Sequence, residues 1–138
     1  MSGDAAQGRV LAIDPGEVRV GMALADPEGI TAQGLETFVR GQGSLLDFIE
    51  DLIREKGVSL ILLGYPLHMD GSVGDRALDS ERFRDILSER FGLPVILRDE
   101  RLTTVEARKA FPPGSKKDWD CIAATLMLQT YLDQAGKA

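Results

Sequence analysis

Three acidic residues lie where segments of predicted regular structure begin or end. Asp14 ends a short apolar run, Glu100 follows a predicted strand at residues 94–97, and Asp120 lies in the first turn of the last predicted helix. Three carboxylates brought together repel one another unless a cation neutralises them, and such oxygen ligands suit Mg²⁺ or Mn²⁺ rather than zinc. An ion of this kind can activate water and offset charge on a phosphodiester oxygen. The chemistry that this triad could perform is therefore metal-assisted phosphodiester hydrolysis.

Each of these residues also has an ordinary structural interpretation. Asp14 precedes Pro-Gly and could simply form a turn, which its spacing alone favours. Glu100 could be a surface charge, and Asp120 could be a helix N-cap or a first-turn carboxylate favoured by the helix dipole. Asp118 competes with Asp120 for either role. The residues alone therefore make the triad a candidate only.

Apolar periodicity and turn residues predict nine elements that must position these side chains. They are strands at residues 9–14, 18–26, 30–39, 60–63 and 94–97, helices at residues 45–53 and 73–91, a short helix from Thr103, and a last helix from residues 118–120. Ser44 is a suitable N-cap for the first helix, and Thr103 with Glu106 matches a capping box.

This order predicts an α/β fold with a five-stranded mixed sheet, three antiparallel leading strands and two parallel ones, covered by helices. Ligands of such sheets tend to bind at the edge where strand ends and helix starts converge. No linker or repeat divides the chain, so we expect residues 1–138 to form a single domain, with residues 1–8 flexible.

Composition narrows the class of protein. The 138 residues are 43% hydrophobic and 28% charged, no apolar run approaches the length of a membrane helix, and the start lacks the pattern of a secretory signal. The single cysteine, Cys121, fits a reducing compartment and is expected to be a small packing residue. We therefore expect a cytoplasmic protein that is not bound to a membrane. The net charge of −6 argues against nucleic acid, but residues 98–117 carry six basic and three acidic side chains.

Four segments of the chain resemble the YqgF/RuvX family of bacterial RNase H-like proteins. They are residues 14–23 (Asp-Pro-Gly-Glu-Val-Arg-Val-Gly-Met-Ala), 64–72 (Gly-Tyr-Pro-Leu-His-Met-Asp-Gly-Ser), 99–107 (Asp-Glu-Arg-Leu-Thr-Thr-Val-Glu-Ala) and 120–124 (Asp-Cys-Ile-Ala-Ala). The middle two are specific, whereas actin-like kinases share an opening like the first. The likeness spans nearly the whole chain, from about residue 9 to residue 133.

The resemblance implies an RNase H-like fold and a metal-dependent nuclease that leaves a 5′-phosphate and a 3′-hydroxyl. It implies that Asp14, Glu100 and Asp120 are both the catalytic residues and the ligands of Mg²⁺ or Mn²⁺, and it favours Asp120 over Asp118. The family is associated with maturation of the 16S ribosomal RNA precursor and with resolution of Holliday junctions. We expect an rRNA precursor as the substrate, with branched DNA as the alternative.

Basic side chains are the expected contacts to nucleic acid. A guanidinium matches two phosphate oxygens at once, so Arg19 and Arg101 are candidates for phosphate binding, with salt bridges to the acidic site as the alternative. Lys116 and Lys117 belong to the locally basic segment and are included with them.

Two features depart from the family pattern. Tyr65 and His68 replace the more usual Leu and Asn, so a hydrogen bond expected from the Asn cannot be assumed. Residues 111–117 form a shorter segment than in many relatives. We expect this difference to affect substrate binding more than metal binding. His68, the only histidine, is expected to make a structural hydrogen bond and is left out of the catalytic set.

Two functions of other classes compete with the nuclease. An actin-like ATP-dependent phosphotransferase shares the opening turn, but one domain cannot form the interdomain nucleotide cleft of those enzymes. A non-catalytic nucleic-acid binding module would not need the three carboxylates. The sequence leaves a homodimer open, because residues 73–91 and the last helix could each supply an interface.

Overall fold

The computed structural model describes residues 8–99 and 119–136, with side chains of the last segment described for residues 121–135. It contains strands β1 (Arg9–Pro15), β2 (Arg19–Ala25), β3 (Ala32–Gly34), β4 (Phe38–Val39), β5 (Val58–Tyr65) and β6 (Val95–Asp99), and helices α1 (Leu45–Lys56), α2 (Asp75–Phe91) and α3 (Trp119–Gly136). The helix predicted from Thr103 and Glu106 lies outside the described residues.

The strands form one mixed sheet in the order β3-β2-β1-β5-β6, with β4 also paired to β2. β1 and β2 are antiparallel, with Asp14 opposite Gly21, whereas β1, β5 and β6 are parallel. The predicted mixed α/β class is therefore confirmed. Apolar runs such as Ile61–Leu63 are buried on both faces, as expected for central parallel strands.

The prediction of one strand at residues 30–39 is wrong in detail, and the sheet has six strands rather than five. β3 pairs Gly34 with Ala23, and β4 pairs Phe38 with Val20. Between these two pairs, three residues (35–37) lie opposite two residues of β2 (21 and 22). The first segment therefore has one residue more than a continuous ladder of hydrogen bonds allows. An extra residue of this kind forms a β-bulge, and it divides the predicted strand into two short ones.

One face of the sheet is covered by α1 and α2. Its buried side chains are mostly large and aliphatic: Leu11, Ile13, Val20, Met22, Leu24, Ile49, Ile61, Leu63 and Leu87, with Phe38 and Val58. The predicted N-cap of α1 is confirmed, because the Ser44 hydroxyl oxygen accepts a hydrogen bond from the Asp47 amide at 3.1 Å. The α1 helix ends at Lys56 and is capped by Gly57, whose φ of 71° is a left-handed conformation that glycine adopts without strain.

The opposite face is covered by α3 and is built from smaller residues. Its buried members are Ala12, Ala23, Ala25 and Leu62 from the sheet and Ala124, Met127, Leu128 and Leu132 from α3. At Gly34, an added Cβ would overlap the sulfur of Cys121. The short side chains on this face therefore let α3 approach the sheet closely. No helix in the described part of the chain is both long and apolar enough to cross a membrane.

Candidate active site

The carboxyl ends of the three parallel strands meet at one edge of the sheet, which we call the carboxyl edge. Asp14 and Pro15 lie there on β1, Tyr65 on β5 and Asp99 on β6, and β2 begins there at Arg19. The register places Tyr65 beside Asp99. Loops that follow parallel strands are a usual place for ligands in open α/β sheets.

The orientation of Asp14 follows from its position on β1. Successive side chains on a strand point to opposite faces. Leu11 and Ile13 pack under α1 and α2, whereas Ala12 packs under α3. Asp14 therefore belongs to the α3 face, where its carboxylate is half-buried and has an interaction partner. The prediction that Asp14 lies at the end of the first strand is confirmed.

The helix α3 runs so that its first residues lie toward the carboxyl edge. Near the middle of the helix, the Gln129 side chain accepts a hydrogen bond from the Ala32 amide and donates one to the Ile30 carbonyl, both at 2.9 Å. Near its start, Cys121 packs against Gly34 at the other end of β3. Because β3 runs in the same direction as β1, the amino end of α3 and Asp14 lie at the same edge and on the same face.

The other two members of the predicted triad can be placed only in part. Glu100 lies outside the described residues and directly follows Asp99, the last residue of β6. Asp120 is the second residue of α3, and its side chain is not among those described. Among the side chains that the structure describes, which exclude Glu100 and Asp120, no three His, Cys, Asp or Glu residues lie close enough together to hold a metal ion. The proposed metal site therefore stays a prediction.

The turn between β1 and β2 is held by backbone contacts. The Gly16 amide donates to the Arg19 carbonyl at 2.9 Å, and an added Cβ at Gly16 would overlap that same oxygen. The Arg40 side chain donates from Nε to the Gly16 carbonyl at 2.7 Å, while its own amide donates to Val18 at 2.9 Å. This position requires glycine, and the turn next to Asp14 is rigidly supported.

The predicted contacts to nucleic acid fall partly within the described structure. Arg19 is exposed at the start of β2, on the α3 face that Gly21 and Asp14 share by strand alternation. It forms no ion pair with any carboxylate in the described part of the chain. Arg101, Lys116 and Lys117 lie outside the described residues, so their predicted role stays a prediction.

Tyr65 and His68, the replacements in the segment at residues 64–72, each form defined contacts, whereas the short segment at residues 111–117 lies outside the described residues. The Tyr65 hydroxyl donates to the Glu81 carboxylate of α2 at 2.5 Å, which raises the pKa of Tyr65. The exposed His68 donates its backbone amide to the Ser72 carbonyl at 3.0 Å, and its ring lies against Gly74, where a Cβ would overlap it. Among the described residues, the structural hydrogen bond expected of His68 is made by its backbone amide, and its ring packs against Gly74.

The loop after β5 is closed by its own polar groups. The Asp70 carboxylate accepts hydrogen bonds from the Ser72 hydroxyl at 2.7 Å and the Ser72 amide at 2.9 Å, and these bonds lower the pKa of Asp70. This exposed carboxylate therefore has a local structural role at the carboxyl edge.

Two arginines near the site were missed by the sequence reasoning. Arg76 donates from Nη2 to the Pro15 carbonyl at 3.3 Å, and Arg40 reaches Gly16 in the same turn. These residues are separated from the turn by 61 and 24 positions in the chain. Neither lies in a basic run, so only the tertiary fold brings them to this edge.

The family model for RuvX, described as a Holliday junction resolvase, matches residues 8–134. A protein of Acetivibrio thermocellus, named "Putative pre-16S rRNA nuclease", is 45% identical over 138 residues, covering 94% of this chain and 98% of its own length. A protein of Lachnospira eligens with the same name is 41% identical, covering 94% of this chain and 99% of its own.

Solved structures of low sequence identity share the fold. Thermus thermophilus RuvC in complex with a Holliday junction substrate aligns with a TM-score of 0.55 at 16% identity, covering 94% of this chain and 98% of that chain. Fowlpox virus resolvase in complex with Holliday junction DNA aligns with a TM-score of 0.56 at 15% identity, covering 92% and 98%. The expected RNase H-like fold is therefore confirmed.

Proposed function

Since the chain belongs to the RuvX family, we propose that it is a divalent-metal-dependent nuclease that hydrolyses phosphodiester bonds in structured nucleic acid. One observation carries this proposal beyond the family likeness. Asp14 lies on the α3 face of β1, at the edge where α3 begins and where β6 leads into Glu100. Three acidic residues far apart in the chain are thus attached to elements that converge on one edge.

The donor set fits a hard divalent cation. Asp14, Glu100 and Asp120 would hold Mg²⁺ or Mn²⁺ through carboxylate oxygens, the ligands these ions prefer. When bound, the ion would supply the positive charge that offsets the phosphate and lowers the pKa of an attacking water.

The chain itself would contribute positioning. Asp14 is carried by a strand hydrogen-bonded on both sides, to β2 and to β5, so its carboxylate starts from a rigid support. Arg19, Arg101, Lys116 and Lys117 would bind phosphates on either side of the scissile bond, because these charged side chains donate strong hydrogen bonds to phosphate oxygens. Cleavage would leave a 5′-phosphate and a 3′-hydroxyl.

We propose the 16S rRNA precursor as the substrate, acted on in the cytoplasm. The support is the name of the relatives, which match over nearly their whole lengths at 41–45% identity. No base-reading element is evident in the sequence, so we expect recognition to depend on the shape and phosphates of the nucleic acid.

A four-way DNA junction is the second candidate substrate. The description of the matching family model, a Holliday junction resolvase, favours it. Cutting two strands of a junction symmetrically calls for two active sites, and therefore for a homodimer. Light scattering on the protein with and without junction DNA would test that requirement.

The first prediction concerns the three carboxylates. Asp14→Asn, Glu100→Gln and Asp120→Asn should each reduce Mg²⁺- or Mn²⁺-dependent cleavage by at least about 100-fold, because the removal of groups that only orient metal ligands already costs about 10- to 100-fold. The measurement is the cleavage rate of a 16S rRNA precursor fragment and of a synthetic four-way DNA junction, at matched concentrations of metal.

Asp118→Asn is the matched control, since it removes the same charge two positions from Asp120. It should leave the rate within about threefold of the wild-type rate, because the family pattern favours Asp120 over Asp118 as the metal ligand. Circular dichroism should show that every variant is folded. Full activity in any of the three site variants would remove that residue from the site, and a rate independent of added metal would refute the mechanism.

A further inference from the structure

Three exposed arginines surround the turn between β1 and β2. Arg19 begins β2, Arg40 follows β4, and Arg76 is the second residue of α2. They come from separate elements, and the bulge at residues 35–37 sets the register that brings Arg40 to the turn. Three guanidinium groups are therefore gathered around one turn in a chain whose net charge is −6, with the Glu17 carboxylate of that turn beside them.

These arginines differ from several others in how they are used. Arg54, Arg82 and Arg90 lie within 3.0 Å of a carboxylate. Within the part of the chain that the structure describes, Arg19, Arg40 and Arg76 have no such ion pair. Arg40 and Arg76 instead donate to backbone carbonyls of the turn, which orients each guanidinium and leaves further N–H groups directed elsewhere.

Three grooves meet at Arg76. One of about 450 Å³ runs between the turn and α2 and is lined by Gly16, Arg40 and Arg76. A second of about 340 Å³ contains Arg19 with Arg76, and a third of about 500 Å³ extends beside His68. The arginines thus line neighbouring grooves that share Arg76, with Arg40 in one and Arg19 in another.

We propose that Arg19, Arg40 and Arg76 bind successive phosphates of a nucleic-acid strand, which passes from the Asp14 site across the β1–β2 turn to the start of α2. A row of guanidinium groups along a groove fits the repeating charge of a sugar-phosphate backbone better than a single small anion. We call Arg19, Arg40 and Arg76 the arginine track. This proposal rests on the proposed function, because the strand bound by the track would lead to the scissile bond. It adds Arg40, in the turn after β4, and Arg76, in the first turn of α2, to the binding surface; both lie outside residues 98–117.

The track predicts a change in the salt dependence of binding. The removal of one arginine–phosphate interaction should make the slope of log K against log salt less negative by about 0.7 for a single strand and by about 0.9 for a duplex. Arg40→Gln and Arg76→Gln should therefore each weaken binding about tenfold, and by similar factors for different sequences, because these side chains bind phosphates and not bases.

The experiment is fluorescence anisotropy in EDTA, so that binding is measured without cleavage, using labelled 16S rRNA precursor RNA and a labelled four-way DNA junction over a range of KCl concentrations. Arg54→Gln is the matched control because it makes the same change in net charge. Arg54 lies near the end of α1, at the opposite edge of the sheet, and is paired with Asp51 at 2.6 Å.

Lysine variants separate phosphate binding from support of the turn. Arg40→Lys and Arg76→Lys keep the charge, so the slope should return close to the wild-type value while affinity recovers in part. If the glutamine variants bind like Arg54→Gln, or if lysine fails to restore the slope while the unfolding temperature falls, the track is refuted. A cleavage assay tests the proposed function separately. RNA that binds but is never cut would refute the nuclease. Normal cutting, together with arginine variants that bind as tightly as the wild type, would refute only the track.

Discussion

The two faces of the sheet are packed by different means. The face under α1 and α2 is filled by large aliphatic side chains such as Leu11, Ile13 and Leu63, whereas the face under α3 presents Ala12 and Ala23. Large side chains hold a helix away from a sheet, and small ones allow close approach of the backbones. One face thus supplies most of the buried aliphatic volume, and the other fixes the position of a single helix.

The difference matters because only the α3 face carries Asp14. A metal site tolerates little displacement of its ligands, and a misplacement of about 1 Å can reduce a rate by about 100-fold. The close packing of α3 would fix Asp120 relative to Asp14, while the α1/α2 face could repack without moving either. Stability and activity should therefore respond differently to changes on the two faces.

Adjacent residues of β5 allow the largest test of this contrast. Leu62 and Leu63 are both fully buried but face α3 and α1/α2 respectively. Each change to alanine should cost about 2–5 kcal/mol of unfolding free energy. Only Leu62→Ala should also lower the cleavage rate of the folded fraction, because it loosens α3. Urea denaturation with rate measurements below the transition would check this, and equal rate losses in both variants would contradict it.

Close approach of α3 predicts a smaller effect at Gly34. Gly34→Ala should cost about 1–3 kcal/mol because the new methyl group overlaps the Cys121 sulfur. Cys121→Ala should make room for it, so the double variant should be more stable than Gly34→Ala alone. A double-mutant cycle from guanidinium denaturation measures this coupling. If the losses of unfolding free energy in Gly34→Ala and Cys121→Ala simply add in the double variant, the contact between Gly34 and Cys121 does not determine how closely α3 packs on the sheet.

The smallest effect concerns a polar contact on the α1/α2 face. The hydrogen bond to Glu81 raises the pKa of Tyr65 above its ordinary value of 10.0. A raised folded pKa gives stability that is fully present below the unfolded pKa and is lost as pH rises through the folded value. Tyrosinate absorbance in a Tyr131→Phe background, which leaves one tyrosine, should show the pKa of Tyr65 falling toward 10.0 in Glu81→Ala. An unchanged titration would exclude this hydrogen bond as the cause.

Local sequence signals predicted much of the fold. Ser44 caps α1 as expected, the strand at residues 94–97 is found as Val95–Asp99, and the helix predicted at residues 73–91 is found as Asp75–Phe91. The bulge was missed because it depends on how two segments meet β2, which alternation in one segment does not encode.

The candidate site was predictable only in part. A carboxylate after an apolar strand pointed to Asp14, and the structure places that residue at the converging edge. The grouping of Arg40 and Arg76 around Gly16 depends on contacts between distant parts of the chain, and no local pattern marks them. The catalytic roles of Asp14, Glu100 and Asp120 stay predictions for the assays above.

The extra residue before Phe38 makes one short segment serve both sides of the sheet. Gly34 faces α3, and in an uninterrupted strand Phe38 would face the same way. The inserted residue reverses that parity, so Phe38 enters the other core and lies 5.3 Å from Phe48 between ring centres. Insertions or deletions between Gly34 and Phe38 are consequently restricted to even numbers of residues. A change by one residue would turn the Phe38 ring out of the core and turn an adjacent, solvent-facing side chain into it.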